Sequence, residues 1–173
     1  FCSNVSNLSL LFTRRIGRQP GAGFLASQQG AFTDVPSAST ILGAAKVTGR
    51  TNAGTSIGVL GALTQREVAR VAGPGGTRTN QEVEPFTSYG IARVKQDFRD
   101  GDLQIGGMAT SVIRNFDDPA LEALMNRRSE SVGLDAEYWW ADRNYHLLFS
   151  SAFTNISGSE DAILRALSLI HIS

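Results

Sequence analysis

Apolar and polar side chains alternate over three pairs of segments in the middle of the chain. The pairs span residues 39–66, 83–116 and 130–155, and each pair has a short polar stretch at its centre. Alternate side chains of a β-strand point to opposite faces of a sheet, so this pattern predicts strands with one apolar face and one mixed face. Glycine recurs within the segments and nothing repeats at helical spacing, which disfavours helices.

The connections between these segments alternate in length. The stretches inside the pairs are about four residues long and predict hairpin turns, the second of which holds an Asp-Gly dipeptide; they are Thr51–Gly54, Arg99–Asp102 and Ala141–Asn144. The links between the pairs, residues 69–82 and 117–129, are much longer. The second link predicts a short helix, because Asp118 is a good N-cap and Pro119 suits the first helical position.

Regular alternation of short turns and long links, with strands of ten or more residues, is typical of outer-membrane barrels. The predicted fold class is therefore all-β, with antiparallel β-hairpins forming part of an outer-membrane-type up-and-down β-barrel and short helices in the long loops. A soluble antiparallel sandwich, whose core face is also apolar, is the alternative. Six strands are too few to close such a barrel, so we expect a larger parent protein.

The remaining segments divide the chain into four regions. Residues 1–38 have no clear period and predict a long irregular loop with a basic motif, and residues 39–156 hold the six predicted strands. Residues 157–166 begin with a Ser-Gly-Ser-Glu-Asp sequence that predicts the start of a loop helix. We interpret residues 167–173 as an artefact tail, because they resemble translated sequencing-adapter sequence.

Charge and hydropathy exclude several classes of protein. Lys plus Arg equals Asp plus Glu, at 16 each, so the net charge gives no bulk affinity for nucleic acid. No apolar run is long enough for a transmembrane helix, although barrel strands need no such run. The single cysteine, Cys2, excludes an internal disulfide.

Charged residues of the mixed strand faces are candidates for a polar lumen. There they would either line a pore or form a solvated salt-bridge network. The candidates are Lys46, Arg50, Arg93, Lys95, Arg114, Asp135, Glu137 and His146. A second group, Arg14, Arg15 and Arg18, suits either an anion site, for lipopolysaccharide or an acidic glycan, or loop anchoring through Asp and Glu.

Four aromatic residues fall on the apolar face beside the short turns, where they would form an interfacial girdle. They are Phe98, Tyr138, Trp140 and Tyr145.

Catalytic candidates are weak. His146 and Ser150 share a strand face but lie about 13 Å apart by strand rise. Asp135 and Glu137 share a face at strand spacing and could mimic a retaining carboxylate pair, yet paired acids in a lumen are more often solvated. We therefore predict no catalytic residue, no metal site and no cofactor.

Several motifs together resemble one bacterial family, the domain of unknown function 5916. They occur in the family's order and are Leu11–Arg18, Asp34–Pro36, Thr40–Arg50, Val83–Tyr89, Ile105–Thr110 and Asp118–Leu121. The resemblance implies an N-terminal family-9-type carbohydrate-binding domain, which is absent here, and a C-terminal region like an outer-membrane β-barrel.

These observations lead to one expectation of function and two alternatives. We expect a fragment of a bacterial outer-membrane β-barrel protein that acts as a pore, receptor or surface anchor. Its partners would be outer-membrane lipid and, through the resemblance, a glycan, but no nucleic acid. The alternatives are a cell-surface hydrolase acting on glycans and a soluble all-β binding domain.

Overall fold

The structure, a computed structural model, describes residues 16–30, 32–73 and 76–170. Two antiparallel sheets and three short helices make up this part of the chain. In chain order the elements are α1 (Gly23–Gln29), β1 (Phe32–Asp34), β2 (Ile41–Arg50), β3 (Thr55–Thr64), β4 (Glu67–Ala72), β5 (Arg78–Glu84), β6 (Phe86–Phe98), β7 (Leu103–Asn115), α2 (Pro119–Leu124), β8 (Arg128–Trp140), β9 (Tyr145–Ser157) and α3 (Glu160–Ile170).

The large sheet has six strands in the order β2-β3-β6-β7-β8-β9. Every neighbouring pair is antiparallel, and the register is continuous along β6, β7, β8 and β9. The three predicted hairpins are its units, and in the last two of their short turns several non-glycine residues have positive φ. The prediction of an all-β antiparallel fold with short helices is confirmed.

The large sheet does not form a closed barrel. Strands β2 and β9 lie at its two edges and do not pair with each other. Six strands are fewer than the eight of the smallest transmembrane barrels, which accounts for the open edges. The outer-membrane barrel therefore stays a prediction.

The apolar face of the large sheet is its more exposed face. This face includes Val47, Val59, Val94, Leu134 and Phe153, of which Val47 is 71% exposed and Phe153 is 72% exposed. On β6, β7 and β8 the side chains of the opposite, polar face are mostly half-buried.

The small sheet has the order β1-β4-β5, and its strands lie in segments where the sequence pattern predicted none. We expected residues 69–82 to form a long link between two hairpins, and β4 and β5 form a further hairpin in this region. We also expected residues 1–38 to be irregular, but α1 and β1 lie in their described part. Helix α1 covers one face of the small sheet, and Ala26 packs in a core with Ala69, Val71 and Val83. The missed elements are short, and only their mutual packing stabilises them.

Helices α2 and α3 contact each other, and α2 also contacts β5 of the small sheet. As predicted, Asp118 caps α2, since its Oδ1 accepts a hydrogen bond of 2.8 Å from the Ala120 N–H. Ser159 Oγ likewise accepts from the Ala162 N–H at the start of α3. Helix α3 extends to Ile170, so it enters the segment 167–173 that we interpreted as a tail; the origin of that segment is untested. No helix in the described ranges combines the length and hydropathy needed to cross a bilayer.

Candidate functional site

The polar face of the large sheet carries all eight residues that the sequence suggested for a lumen. Their strand registers put every one of them on this face. Lys46 and Arg50 lie on β2, and Arg93 and Lys95 lie on β6. The acidic members, Asp135 and Glu137, both lie on β8, while Arg114 and His146 lie on β7 and β9. Cations therefore concentrate on one side of the face and carboxylates on the other, with Asp97 of β6 as an exception.

An ion pair crosses the middle of this face. The Arg93 guanidinium on β6 donates to the Asp135 carboxylate on β8 over 3.0 Å, and the pair spans the intervening strand β7. The carboxylate lies directly over Gly106 of β7, where a Cβ atom would come within 2.5 Å of Asp135 Oδ2. Glycine at this position therefore makes room for the ion pair. Both side chains are about one-third exposed, so water screens the interaction.

Glu137 joins β8 to β9 near the short-turn end. Its Oε1 atom accepts a hydrogen bond from Trp139 Nε1 at 3.1 Å and lies 3.0 Å from His146 Nε2. The Trp139 and His146 rings stack with centroids 3.7 Å apart. Asp135 and Glu137 were considered above as a retaining carboxylate pair, and each of them contacts a nitrogen atom of another side chain. His146 contacts Glu137 and not Ser150. This arrangement ties two strands together and does not prepare a nucleophile.

The other cationic side chains of the polar face do not contact the Arg93–Asp135 ion pair or Glu137 in the contacts described below. Arg50 reaches across β3 to Asp97, with Nη2 and Oδ2 2.7 Å apart. Arg114 donates to the carbonyl and side-chain oxygens of Asn126, at 2.9 and 3.2 Å, and so holds the start of β8. Lys95 lies opposite Gly106, in the same cross-strand row as Asp135. These contacts describe a network of both signs and not a site for one ligand.

The basic motif of the N-terminal segment is only partly described. Arg14 and Arg15 lie outside the described residues. Arg18 is exposed, and its carbonyl accepts hydrogen bonds of 2.8 Å from both the N–H and the Oγ of Ser39. Its main chain thus anchors the segment to the beginning of β2, while the role of the three arginines stays a prediction.

The four girdle aromatics lie on the apolar face at the short-turn end. Tyr138 and Trp140 of β8 stack with centroids 5.4 Å apart, and Trp140 stacks on Tyr145 of β9 at the same distance. Phe98 lies across Leu103 from Tyr138. Trp140, Tyr145 and Phe98 are substantially exposed. The structure thus brings the aromatics together at one end of the sheet, and their contact with a membrane interface stays a prediction.

A carboxylate cluster lies where the small sheet meets the large one. Arg66, between β3 and β4, contacts Glu82 of β5 at 3.0 Å and also forms an ion pair with Asp117 after β7. Burial raises the pKa of Glu82 above the ordinary carboxyl value, and Arg66 opposes this shift. The cluster connects three chain segments and is structural. Within the described ranges, no three His, Cys, Asp or Glu side chains are arranged to hold a metal ion.

An open surface on the small sheet was not predicted from the sequence. The face opposite α1 carries Phe32, Asp34, Arg70, Arg78 and Asn80 beside a groove of about 600 Å³. The signal was present in the sequence, because the turn residues Gly73-Pro-Gly-Gly76 separate two segments that fit a hairpin.

Comparisons with known proteins give one result. A search of curated proteins and a search of solved structures returned no match. A family model described as "Domain of unknown function (DUF5916)" matches residues 5–142, which is about four-fifths of the chain. The chain belongs to this DUF5916 family.

Proposed function

We propose that the large sheet is part of the wall of a bacterial outer-membrane β-barrel. Its apolar face contacts lipid and its polar face lines the lumen. The observation that carries the proposal is the exposure of the apolar face on every strand of the sheet. Water-soluble monomers rarely expose contiguous apolar patches of more than a few hundred Å².

The strand lengths fit a bilayer. Strands β6, β7, β8 and β9 each have 13 residues. At about 3.3 Å per residue such a strand is about 43 Å long, and a tilt of about 45° reduces its span to about 30 Å. This matches the thickness of the hydrocarbon core.

The two ends of the sheet differ as the two rims of such a barrel do. All three short turns lie at one end, next to the stacked aromatics Tyr138, Trp140 and Tyr145. The long connections at the other end carry the small sheet and the helices. By the usual arrangement of outer-membrane barrels, the short turns face the periplasm and the small sheet faces outward.

A receptor or surface anchor fits the polar face better than an open channel. Arg93, Asp135, Glu137 and His146 form cross-strand contacts that hold the wall together. The hydrophilic surface is thus largely occupied by internal interactions, and the folded small sheet offers an external surface. The partner of the apolar face is outer-membrane lipid.

Fractionation of the full-length protein in its native bacterium tests the proposal. We expect recovery with the outer membrane and a shift of gel migration between unheated and boiled samples. Single cysteines at Leu134 and Ser150, in a Cys2→Ser background, provide a matched pair from the two faces. Leu134→Cys should react with a lipid-soluble maleimide and Ser150→Cys with a water-soluble one. A protein recovered in the soluble fraction, with both cysteines labelled from water, would refute the barrel and favour the soluble binding domain.

A further inference from the structure

The open face of the small sheet is a surface that the barrel proposal does not use. Helix α1 covers the other face through Ala26, which is fully buried. The open face belongs to the even-numbered residues of β1, β4 and β5, and Phe32 is 78% exposed on it. Residues of the small sheet alone form this face, so its binding properties do not depend on whether the large sheet lies in a membrane.

Two cross-strand rows organise this face. The first row runs Asp34, Arg70, Asn80 across β1, β4 and β5, and the second runs Phe32, Ala72, Arg78. Neighbouring strands lie about 4.8 Å apart and alternate residues of a strand about 6.6 Å apart, so the patch measures about 10 by 7 Å. Because the Ala72 side chain is small, the second row has a shallow depression at its centre, between the Phe32 ring and the Arg78 guanidinium. The surface is about the size of one or two sugar rings.

The two arginines have no partner among the described residues. Neither the Arg70 nor the Arg78 side chain makes a hydrogen bond or ion pair within that part of the chain, although Asp34 lies directly across from Arg70. Most other arginines of the described ranges have carboxylate or carbonyl partners, for example Arg66, Arg93 and Arg114. The N–H donors of the Arg70 and Arg78 guanidinium groups are therefore available to a ligand, and a guanidinium group can bind a carboxylate through two parallel hydrogen bonds.

We propose that this face binds an acidic oligosaccharide whose sugars carry carboxylates. Phe32 offers a flat apolar ring for the face of a pyranose, and Arg70 and Arg78 bind the carboxylate. Asn80 and Asp34 are placed to form hydrogen bonds with hydroxyl groups. The two arginines and one aspartate leave one net positive charge, which a singly charged uronate complements better than a doubly charged phosphate.

Titration calorimetry with the full chain tests this inference. The probes are tetragalacturonate, neutral cellotetraose and inorganic phosphate. We expect binding of tetragalacturonate only, weakened about ten-fold or more in Arg70→Gln/Arg78→Gln because charge-assisted hydrogen bonds are lost. Phe32→Ala should weaken it several-fold. The control is Arg143→Gln, an exposed arginine in the last short turn, which should leave binding unchanged.

Four outcomes would overturn the inference. They are no binding of tetragalacturonate, equal binding of cellotetraose, binding of inorganic phosphate alone, and equal losses in the double variant and Arg143→Gln. Light scattering on the same samples addresses a second copy of the chain as the occupant. A concentration-dependent dimer that Phe32→Ala abolishes would assign the face to self-association instead. All substituted residues are exposed, and circular dichroism confirms folding of each variant before titration.

Discussion

Substitution of Leu134 by arginine tests whether the apolar face contacts lipid. Leu134 lies near the middle of β8, six positions before Trp140 at the short-turn end, and it is 57% exposed. In the proposed barrel wall, at about 3.3 Å per residue and a tilt of about 45°, it would lie about 14 Å deeper than the aromatic residues. This is close to the midplane of a hydrocarbon core of about 30 Å. Leu134→Arg therefore places a charge where the bilayer opposes it most.

The expected loss of folding free energy differs between the two possible environments of Leu134, lipid and water. An arginine on the lipid face near the midplane costs about 2–4 kcal/mol of folding free energy. This corresponds to a change of roughly 30- to 1,000-fold in the folding equilibrium, at about 1.4 kcal/mol per tenfold. If water covers the same surface, the change stays within about 0.5 kcal/mol. The matched control is Ser150→Arg, which puts the same charge on the polar face opposite Asp135.

The assay is denaturant titration of the full-length protein folded into phosphatidylcholine vesicles, followed by tryptophan fluorescence. We expect Leu134→Arg to lower the free energy of unfolding by about 2 kcal/mol or more. Ser150→Arg should change it by less than about 0.5 kcal/mol, since the carboxylate of Asp135 is close. Equal effects of the two variants, or a larger loss for Ser150→Arg, would refute the assignment of the two faces.

Two further predictions concern the polar interactions. Gly106→Ala should displace the Asp135 carboxylate and lower the free energy of unfolding by roughly 1 kcal/mol. The control is Gly107→Ala, whose added Cβ meets no atom closer than 3.5 Å and which should lower the free energy of unfolding by less. Equal changes in Tm for the two variants would contradict this prediction. Burial raises the pKa of Glu82, with Arg66 opposing, so the folded state keeps its proton to higher pH than the unfolded state. Stability from this group is then present below the ordinary pKa of 4.5 and falls as pH rises through the elevated folded pKa. Glu82→Gln should flatten the fall of Tm above pH 4.5, and an unchanged slope would contradict the assignment.

The strands of the large sheet were predictable because their signals are local. Alternating side chains and short polar turns fix a hairpin without distant contacts, as between β8 and β9. The Asp118 cap of α2 is equally local, since the carboxylate bonds the Ala120 N–H two positions away. The register of these hairpins then placed residues such as Arg93 and Asp135 on one face.

The small sheet was not predictable in the same way. Strand β1 has three residues and pairs with β4 some 40 positions later, as in Phe32 with Ala72. Such a strand has no pattern of its own, and it forms because the core around Ala26 and Val71 assembles. The surface formed by Arg70 and Arg78 is a different case, because the glycine-rich sequence at residues 73–76 is a local turn signal for the β4–β5 hairpin. Without that hairpin, two residues eight positions apart are not neighbours.

Alternation in the sequence shows that a sheet has two different faces, but it does not show which face is covered. A half-exposed side chain such as Leu134 or Phe149 forgoes about 1 kcal/mol of burial. The apolar face has more than ten such side chains, and their sum approaches the whole stability of a typical domain. The face is therefore expected to be covered in the functional state.

Lipid and a second protein sheet are the two candidates for covering the apolar face, and they predict different exposure of the polar face. In a soluble sandwich the second sheet packs about 10 Å away on the apolar face, and the polar face is the outer one exposed to water. Here the polar face is the less exposed of the two, with Gly106 and Gly133 buried while Val132 and Leu134 are open. This distribution of exposure supports the proposal that lipid, and not a second sheet, covers the apolar face.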